Sequence, residues 1–303
     1  MRASVVIPTY NRLQDLQRVV SAVRSQAPST GTGLETVVVD DGSSDGTWEW
    51  LSSQAGSPDL KVLRQSNSGP ARARNHGVSA ASGDLVLFLG DDTEPQPGWL
   101  AHHLEEHRLF GGTSVLAVIG YTSFADDRTS PFLRFINEQG AQFGYQLIED
   151  PRAVPFNFFY TSNVSVPRRI LLELEGFRED FPAAAWEDIE FAYRAAAIGL
   201  GIRYQPRARA LHHHCVHPRT FCSRQRTSGN SAAIFAGIHP QLEGFLGVNR
   251  ALRRNPLRRV QRLFLGLLVE LGERVDGVIP PRIYRDFLEA CYLDGLAEGL
   301  HSR

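Results

Sequence analysis

The sequence predicts an α/β fold: a doubly wound, mainly parallel sheet followed by a helical C-terminal extension. Three observations carry this. Four short apolar or β-branched runs, "ASVVIP" (3–8), "LETVVVD" (34–40), "LKVL" (60–63) and "DLVLFL" (84–89), are bounded by turn residues. They are continuous rather than alternating, as strands covered on both faces are. Helix-like segments separate them, and the order β-α-β-α-β-α-β indicates an open sheet with crossover helices.

The helices follow from spacing and caps. Leu13, Leu16, Val19, Val20 and Val23 recur at helical intervals within 13–26. Segment 45–54 follows Ser44 and Asp45, both good N-caps, and carries Glu49 near its first turn. Segment 70–81 follows Gly69 and stops at Ser82-Gly83. Further on, "TSVLAVIGYT" (113–122) and "FYTSNVSV" (159–166) read as strands. "EDIEFAYRAAAIG" (187–199) reads as a helix with carboxylates at its start and Gly199 as its stop. "GIRYQPRARALHHH" (201–214) returns as extended chain, and "PFNFFY" (155–160) reads as a core strand, with stacking on a sugar ring as the alternative. His103 and His107, one turn apart in "AHHLEEHRLF", read as a solvated helix face, because the HExxH zinc spacing is absent.

From about residue 240 the chain is helical and arginine-rich. Val260, Leu263, Phe264, Leu267, Leu268 and Leu271 form an apolar stripe behind Arg253, Arg254, Arg258, Arg259 and Arg262. Two readings stand: a helix packed on the body or on a second subunit, and a surface helix resting on anionic lipid.

Composition excludes several classes. The 303 residues hold 32 Lys+Arg against 33 Asp+Glu, so no global field favours nucleic acid. Cys215, Cys222 and Cys291 lack CxxC spacing, which suits a reducing compartment and argues against a disulfide scaffold. The apolar run before Pro8 is too short for a signal segment, and no stretch reaches bilayer length. The expected location is cytoplasmic.

In an open α/β sheet, ligands bind outside the carboxyl ends of the strands. "PTYNR" (8–12), "DDGSSDGT" (40–47), "NSGPARARN" (67–75) and "GDDTEP" (90–95) all fall there. Such a mixture can stack a base, accept from ribose hydroxyls and pair with phosphate. Neither GxxxxGK[ST] nor a GxGxxG after a strand is present. A divalent cation shared by the adjacent Asp91 and Asp92 is then the natural partner for a diphosphate, and oxygen donors suit magnesium or manganese. Glu187 and Asp188 open a helix, where acids are favoured for dipole reasons alone, yet a carboxylate there can deprotonate an acceptor hydroxyl. In "ALHHHCVHPRTF" (210–221), His212 and His214 share one face of an extended chain and offer imidazole to a metal.

"SVVIPTYNR", "VVVDDGSSDGT", "NSGPARARN", "ASGDLVLFLGDDTEP", "NVSVPRR", "GFRED" and "WEDIEFAYR", in this order and spacing, resemble family-2 glycosyltransferases with the GT-A fold, over roughly residues 1–235. The resemblance implies an inverting transferase using a nucleotide diphosphate sugar. It implies a Rossmann-like nucleotide-sugar-binding half (1–110), an acceptor-binding and catalytic half (111–240) and a helical extension (241–303). Pro8 and Tyr10 would border the nucleobase, Asp41 would accept from it, Arg74 would lie near the donor diphosphate, and Arg12 would belong to the donor-binding set. Asp91 would contact the ribose or sugar, Asp92 would bind Mn2+ or Mg2+, and His212, before His214, would join it. Asp188 matches the base, with Glu187 beside it. Gly90 stands where many members carry a third acid. The C-terminal QxxRW signature of processive synthases is absent, which favours single-sugar transfer, with cell-surface polysaccharide or glycoconjugate synthesis as the setting. A UDP-, GDP- or dTDP-sugar donor, a hydroxyl acceptor such as a lipid-linked saccharide, and a homodimer or peripheral membrane contact through the C-terminal helices are the implied partners. A sugar nucleotidyltransferase and a non-catalytic nucleotide-sugar binder remain as alternatives.

Overall fold

Along the chain the elements run β1 (Ala3–Thr9), α1 (Leu13–Arg24), β2 (Leu34–Asp40), α2 (Thr47–Ser53), β3 (Leu60–Arg64), α3 (Pro70–Ala80), β4 (Leu85–Leu89), β5 (Thr93–Pro95) and α4 (Trp99–Phe110). They continue through β6 (Leu116–Phe124), α5 (Pro131–Gln139), β7 (Asn163–Pro167), α6 (Arg168–Glu173), α7 (Glu187–Ala197) and β8 (Gly201–His212). Helices α8 (Pro218–Ile238), α9 (Glu243–Leu246), α10 (Val248–Leu252), α11 (Arg258–Arg274) and α12 (Pro281–His301) follow. The computed structural model describes residues 1–26, 33–54, 56–110, 115–125, 130–139, 142–214, 216–253, 258–274 and 279–302. Thr113, Ser114, Cys215 and Arg254, used in the sequence reading, lie outside them.

One unit comprises Met1–Ala125, Leu147–Glu179 and Glu187–His214. It holds a sheet of order β3-β2-β1-β4-β7-β6-β8-β5. Strands β1, β2, β3, β4, β6 and β8 run one way, and β5 and β7 run the other. The apolar runs are buried on both faces, as their continuity requires. Val5, Ile7, Leu85, Leu87 and Leu89 pack with Leu16, Val19 and Val23 of α1 and with Trp99 and Leu100 of α4. On the other face, α3 comes close enough that a side chain at Gly77 would meet Val6 and Val39.

Two expectations fail here. Residues 155–160 are not a strand: Pro155 opens a 3₁₀ turn, Phe156–Phe158, after which the fully buried Phe159 packs on Phe191 with ring centroids 5.6 Å apart. Nor are His103 and His107 solvated, being 0% and 6% exposed. The polar groups that allow their burial sit on β7, about 60 residues away. The Asn163 amide donates through Nδ2 to the carbonyls of Ala208 (3.0 Å) and Tyr121 (3.3 Å), so its Oδ1 faces α4 and accepts from Trp99 Nε1 (2.7 Å) and His103 Nε2 (3.0 Å). With its proton on Nε2, His103 accepts at Nδ1 from Ser165 Oγ (2.9 Å), which itself accepts from His107 Nε2 (2.8 Å). Burial lowers His103 to about 3 and His107 to about 4, so both are neutral at pH 7. A depressed histidine pKa gives stability that is complete above about 6.5, the unperturbed value, and is lost as pH falls toward about 3. The wild-type thermal midpoint is therefore expected to fall on acidification from pH 6.5 to pH 4. His103→Phe should start about 1–3 kcal/mol lower, since Asn163 and Ser165 lose a partner, and should show a shallower slope. Parallel midpoint–pH curves for the two proteins would contradict this.

The other unit comprises Asp126–Gln146, Asp180–Trp186 and Cys215–Arg303. Its spine is α8 against α12. Their backbones meet at glycines: a side chain at Gly229 would strike the Tyr292 carbonyl, and one at Gly295 the Arg226 carbonyl. Phe135 of α5 stacks on Tyr284, and Phe132 meets Tyr284 at a tilt and Phe221 edge-on. Contrary to the cysteine reading, Cys222 on α8 is bridged to Cys291 on α12, with Cα atoms 5.4 Å apart and a separation of 69 residues. Only the packing of two distant helices sets this pair, so sequence spacing gives no hint of it. Closing so long a loop restricts the unfolded chain, and Cys222→Ser is expected to cost about 2–4 kcal/mol. An unchanged denaturation midpoint under reducing and oxidising conditions would exclude that contribution. The stripe of α11 is not packed on the body of this chain: Val260, Leu263, Phe264, Leu267 and Leu271 are 54–68% exposed, which leaves the second-subunit and lipid readings.

Candidate active site

Register brings the charged loops of the first unit to one edge. Parallel β1, β2 and β4 end there, and β8, parallel to β6, ends there at His212. Antiparallel β5 sets Thr93 opposite His212, so Asp92 adjoins the histidine tract. Antiparallel β7 begins at this edge, with Asn163 opposite Leu89, which brings the 160–162 turn beside it.

Asp91 and Asp92 face different partners. Asp91 Oδ2 accepts from Thr9 Oγ1 at 2.9 Å, and its Oδ1 lies 3.9 Å from Arg12 Nε. Burial, then the charge of Asp92, pushes Asp91 upward against the pull of Arg12 and Thr9. Asp92 is ion-paired to the Arg12 guanidinium through Oδ2 and lies 3.0 Å from His212 Nε2 through Oδ1. Burial acts to raise its pKa, but the His212 hydrogen bond and charge, then Arg12 and His214, hold it well below the usual carboxylate range. Arg12 thus faces both acids and, together with His212 on Asp92, offsets their mutual repulsion in the free protein.

His212 and His214 share a face, as the alternation of an extended chain requires, with ring centroids 5.8 Å apart. His213 points elsewhere and pairs with Glu94 at 2.6 Å. Among the described residues no three His, Cys, Asp or Glu side chains form a metal cage. One carboxylate and one imidazole still fit magnesium or manganese, which take few protein ligands and complete their shell with phosphate and water. At Gly90 a Cβ would lie 2.7 Å from Thr93 Oγ1 and 3.1 Å from Asp92 Oδ1, so a side chain there would require Thr93 and Asp92 to shift.

The part of the edge formed after β1 and β2 is built by loop cross-links. Asn11, at φ 52°, donates its backbone N–H to Ser43 Oγ and accepts from Ser44 N at 2.8 Å. That leaves Tyr10 48% exposed beyond Pro8 of β1. Asp41, expected to accept from a base, is 4% exposed and accepts from Gln65 Nε2 (2.8 Å), Ser68 N (2.9 Å) and Gly69 N (2.9 Å). Its shown work is to tie β2 to the loop that starts α3.

The acidic helix start divides its labour. Glu187 is 1% exposed and accepts from Arg74 Nη1 at 2.7 Å, 113 residues away in sequence. Burial, then Asp188, pushes Glu187 up to about 7, with Arg74 opposing. Arg74 is 8% exposed and lies against the Phe177 ring. Its Nε and Glu187 Oε2 are buried without a hydrogen-bond partner. Asp188 Oδ2 instead accepts from Thr161 N (3.1 Å) and Oγ1 (3.3 Å). Burial raises Asp188, and Arg74 and the Thr161 N–H temper the rise. Sequence reasoning missed Thr9, Thr161 and Asn75. Asn75, at the end of "ARARN", clasps the backbone of Phe177 through both amide atoms (2.8 and 2.9 Å). Thr9 and Asn75 lie inside motifs already singled out, "PTYNR" and "NSGPARARN", whereas Thr161 carries no local signal.

Residues 4–171 match the Glycosyl transferase family 2 model. The chain is 30% identical over 246 residues to the pre-mycofactocin glycosyltransferase of Mycobacterium tuberculosis, covering 78% of this chain and 48% of that protein. It is 31% identical over 221 residues to the validoxylamine A glucosyltransferase of Streptomyces hygroscopicus subsp. jinggangensis, covering 65% of this chain and 52% of that protein. It therefore spans about half the length of the curated relatives it matches. Among solved structures, the mannosyltransferase PcManGT from Pyrobaculum calidifontis, in complex with GDP-Man and Mn2+, superposes with TM-score 0.64 at 20% identity, covering 99% of this chain and 86% of that one. S. aureus TarS 1–349 in complex with UDP gives TM-score 0.54 at 20% identity, covering 100% and 91%. The mixed sheet and helical C-terminal region are those of the GT-A type. With its motifs gathered at the strand-carboxyl edge and the family model matched over more than half its length, the chain belongs to glycosyl transferase family 2.

Proposed function

We propose that the chain is a metal-dependent, inverting glycosyltransferase moving one sugar from a nucleotide diphosphate sugar to an acceptor hydroxyl. The observation that carries this is the meeting of Asp92 with His212, beside Asp91, at the edge of a family 2 sheet. The GDP-Man, Mn2+ and UDP held by PcManGT and TarS support the same class of donor. Tyr10 and Pro8 border the nucleobase, and Asp41 fixes the loop beneath it. Asp91 faces the ribose or sugar. Asp92 and His212 hold Mn2+ or Mg2+, with His214 as the further imidazole on that face. Bound there, a divalent cation supplies positive charge to the leaving diphosphate.

Arg12 and Arg74 present guanidinium groups to the diphosphate side, with Arg74 oriented by Glu187. Asp188, oriented by Thr161, accepts the proton of the acceptor hydroxyl as its oxygen attacks the anomeric carbon and the bond to diphosphate breaks. A raised pKa makes this carboxylate a stronger base than an exposed one. The acceptor is a hydroxyl-bearing saccharide or lipid-linked saccharide of cell-surface glycoconjugate synthesis, used on the cytoplasmic side where nucleotide sugars are found.

Calorimetry of the full chain against UDP, GDP, dTDP and ADP, each with and without Mn2+, tests the reading. Manganese-dependent binding of one diphosphate, lost in Asp92→Ala, is the expected result. A folded protein that binds none of them refutes it and favours a chain without donor chemistry.

A further inference from the structure

An amphipathic helix in a folded protein normally turns its apolar stripe inward. Helix α11 does the reverse. Its inner side carries Val269, Gly272, Arg262 bonded to Asp294 (2.6 Å), and Glu273, which accepts from Phe132 N (2.8 Å). Its outer side shows Val260, Leu263, Phe264, Leu267 and Leu271, each more than half exposed. A contiguous exposed apolar strip of this kind marks an interaction surface.

Charge selects the partner. From Gly244 to Val269 the sequence has no Asp or Glu, but has arginine at 250, 253, 254, 258, 259 and 262; Glu289 and Asp294 of α12 engage Arg250 and Arg262, so the segment keeps an excess of positive charge over the acids that meet it. The acids of α11 are both engaged within the chain, Glu270 by Arg219 (2.9 Å) and Glu273 as above. An isologous α11–α11 contact would set this arginine-rich entry against itself or against Arg274. An anionic bilayer supplies the missing negative charge and accepts the apolar side chains at the same time. No helix of the described residues is long and apolar enough to cross a membrane, so the geometry fits a helix lying in the surface plane.

We propose that the outward face of α11 docks this chain on an anionic lipid surface. The inference does not rest on glycosyl transfer, because its readout is partition rather than turnover. Flotation of the full chain with phosphatidylcholine vesicles, with and without phosphatidylglycerol, tests it. Binding is expected only with phosphatidylglycerol, and is expected to weaken as salt rises from about 0.1 to about 0.5 M. Leu267→Glu and Phe264→Glu should each reduce partition by about tenfold or more, with the wild-type thermal midpoint kept because both side chains face outward. Absence of binding to the anionic vesicles overturns the proposal, as does binding that neither substitution weakens. A concentration-dependent dimer that Leu267→Glu dissolves, with no vesicle binding, would assign the face to a second copy instead.

Discussion

Asp188→Asn is expected to lower turnover by about 10²–10⁴-fold while leaving nucleotide diphosphate affinity within about threefold. The substitution is nearly isosteric, and an asparagine Oδ1 can still accept from Thr161 N and Oγ1, which hold the native carboxylate at 3.1 and 3.3 Å. What it loses is the ability to take a proton. The pH profile separates a base from a merely structural acid. Burial raises the Asp188 pKa, and a base works only when ionised, so wild-type kcat/KM should climb with pH through a value above the usual carboxylate range and then level off. Removing the carboxylate removes that limb. A variant with wild-type turnover, or one that keeps the same acid limb, would take Asp188 out of the chemistry. Thr161→Val offers a graded control: the backbone N–H still orients the carboxylate, so the loss should be far smaller.

Which parts of this arrangement a sequence can reveal depends on how local their causes are. Strand β4 and the acids after it are legible because five consecutive apolar residues, Leu85 to Leu89, need burial on both faces, and Asp91 and Asp92 cannot follow them inside without a cation. His212 and His214 are legible because a strand alternates, and the structure puts those two rings on one face and His213 on the other. The failures share the opposite property. His103 and His107 look like a polar helix face until Asn163 and Ser165 arrive from β7 to satisfy them. Cys222 and Cys291 pair because α8 packs on α12. The ion pair between Arg12 and Asp92 is set by the fold in the same way, as a contact that neither local sequence announces. Helix α11 is the instructive mixed case: its periodicity is correct, but amphipathicity alone cannot say whether the apolar side meets the protein or something else.

The Arg74–Glu187 pair is where the two acids of "WED" part company, and breaking it should be the most destabilising single change at the site. Glu187→Ala is expected to cost about 3–5 kcal/mol, measured as the shift in denaturation midpoint. It leaves a guanidinium, 8% exposed, without the carboxylate that accepts its hydrogen bond, and a guanidinium cannot become neutral by shedding its proton at accessible pH. Arg74→Met should cost less, because the orphan is then a carboxyl already pushed up to about 7 by burial and by Asp188, which can take a proton and become neutral. That asymmetry tests desolvation directly: equal losses would indicate that water still reaches both groups. Arg74→Met combined with Glu187→Leu should recover much of the stability, since two apolar side chains of similar volume replace a pair with two unsatisfied buried atoms, Arg74 Nε and Glu187 Oε2. Turnover should not recover with it if Arg74 serves the donor diphosphate. A double variant that regains both would reduce the pair to a packing device, and Asp188 would then act at the helix start without help from the charge beside it.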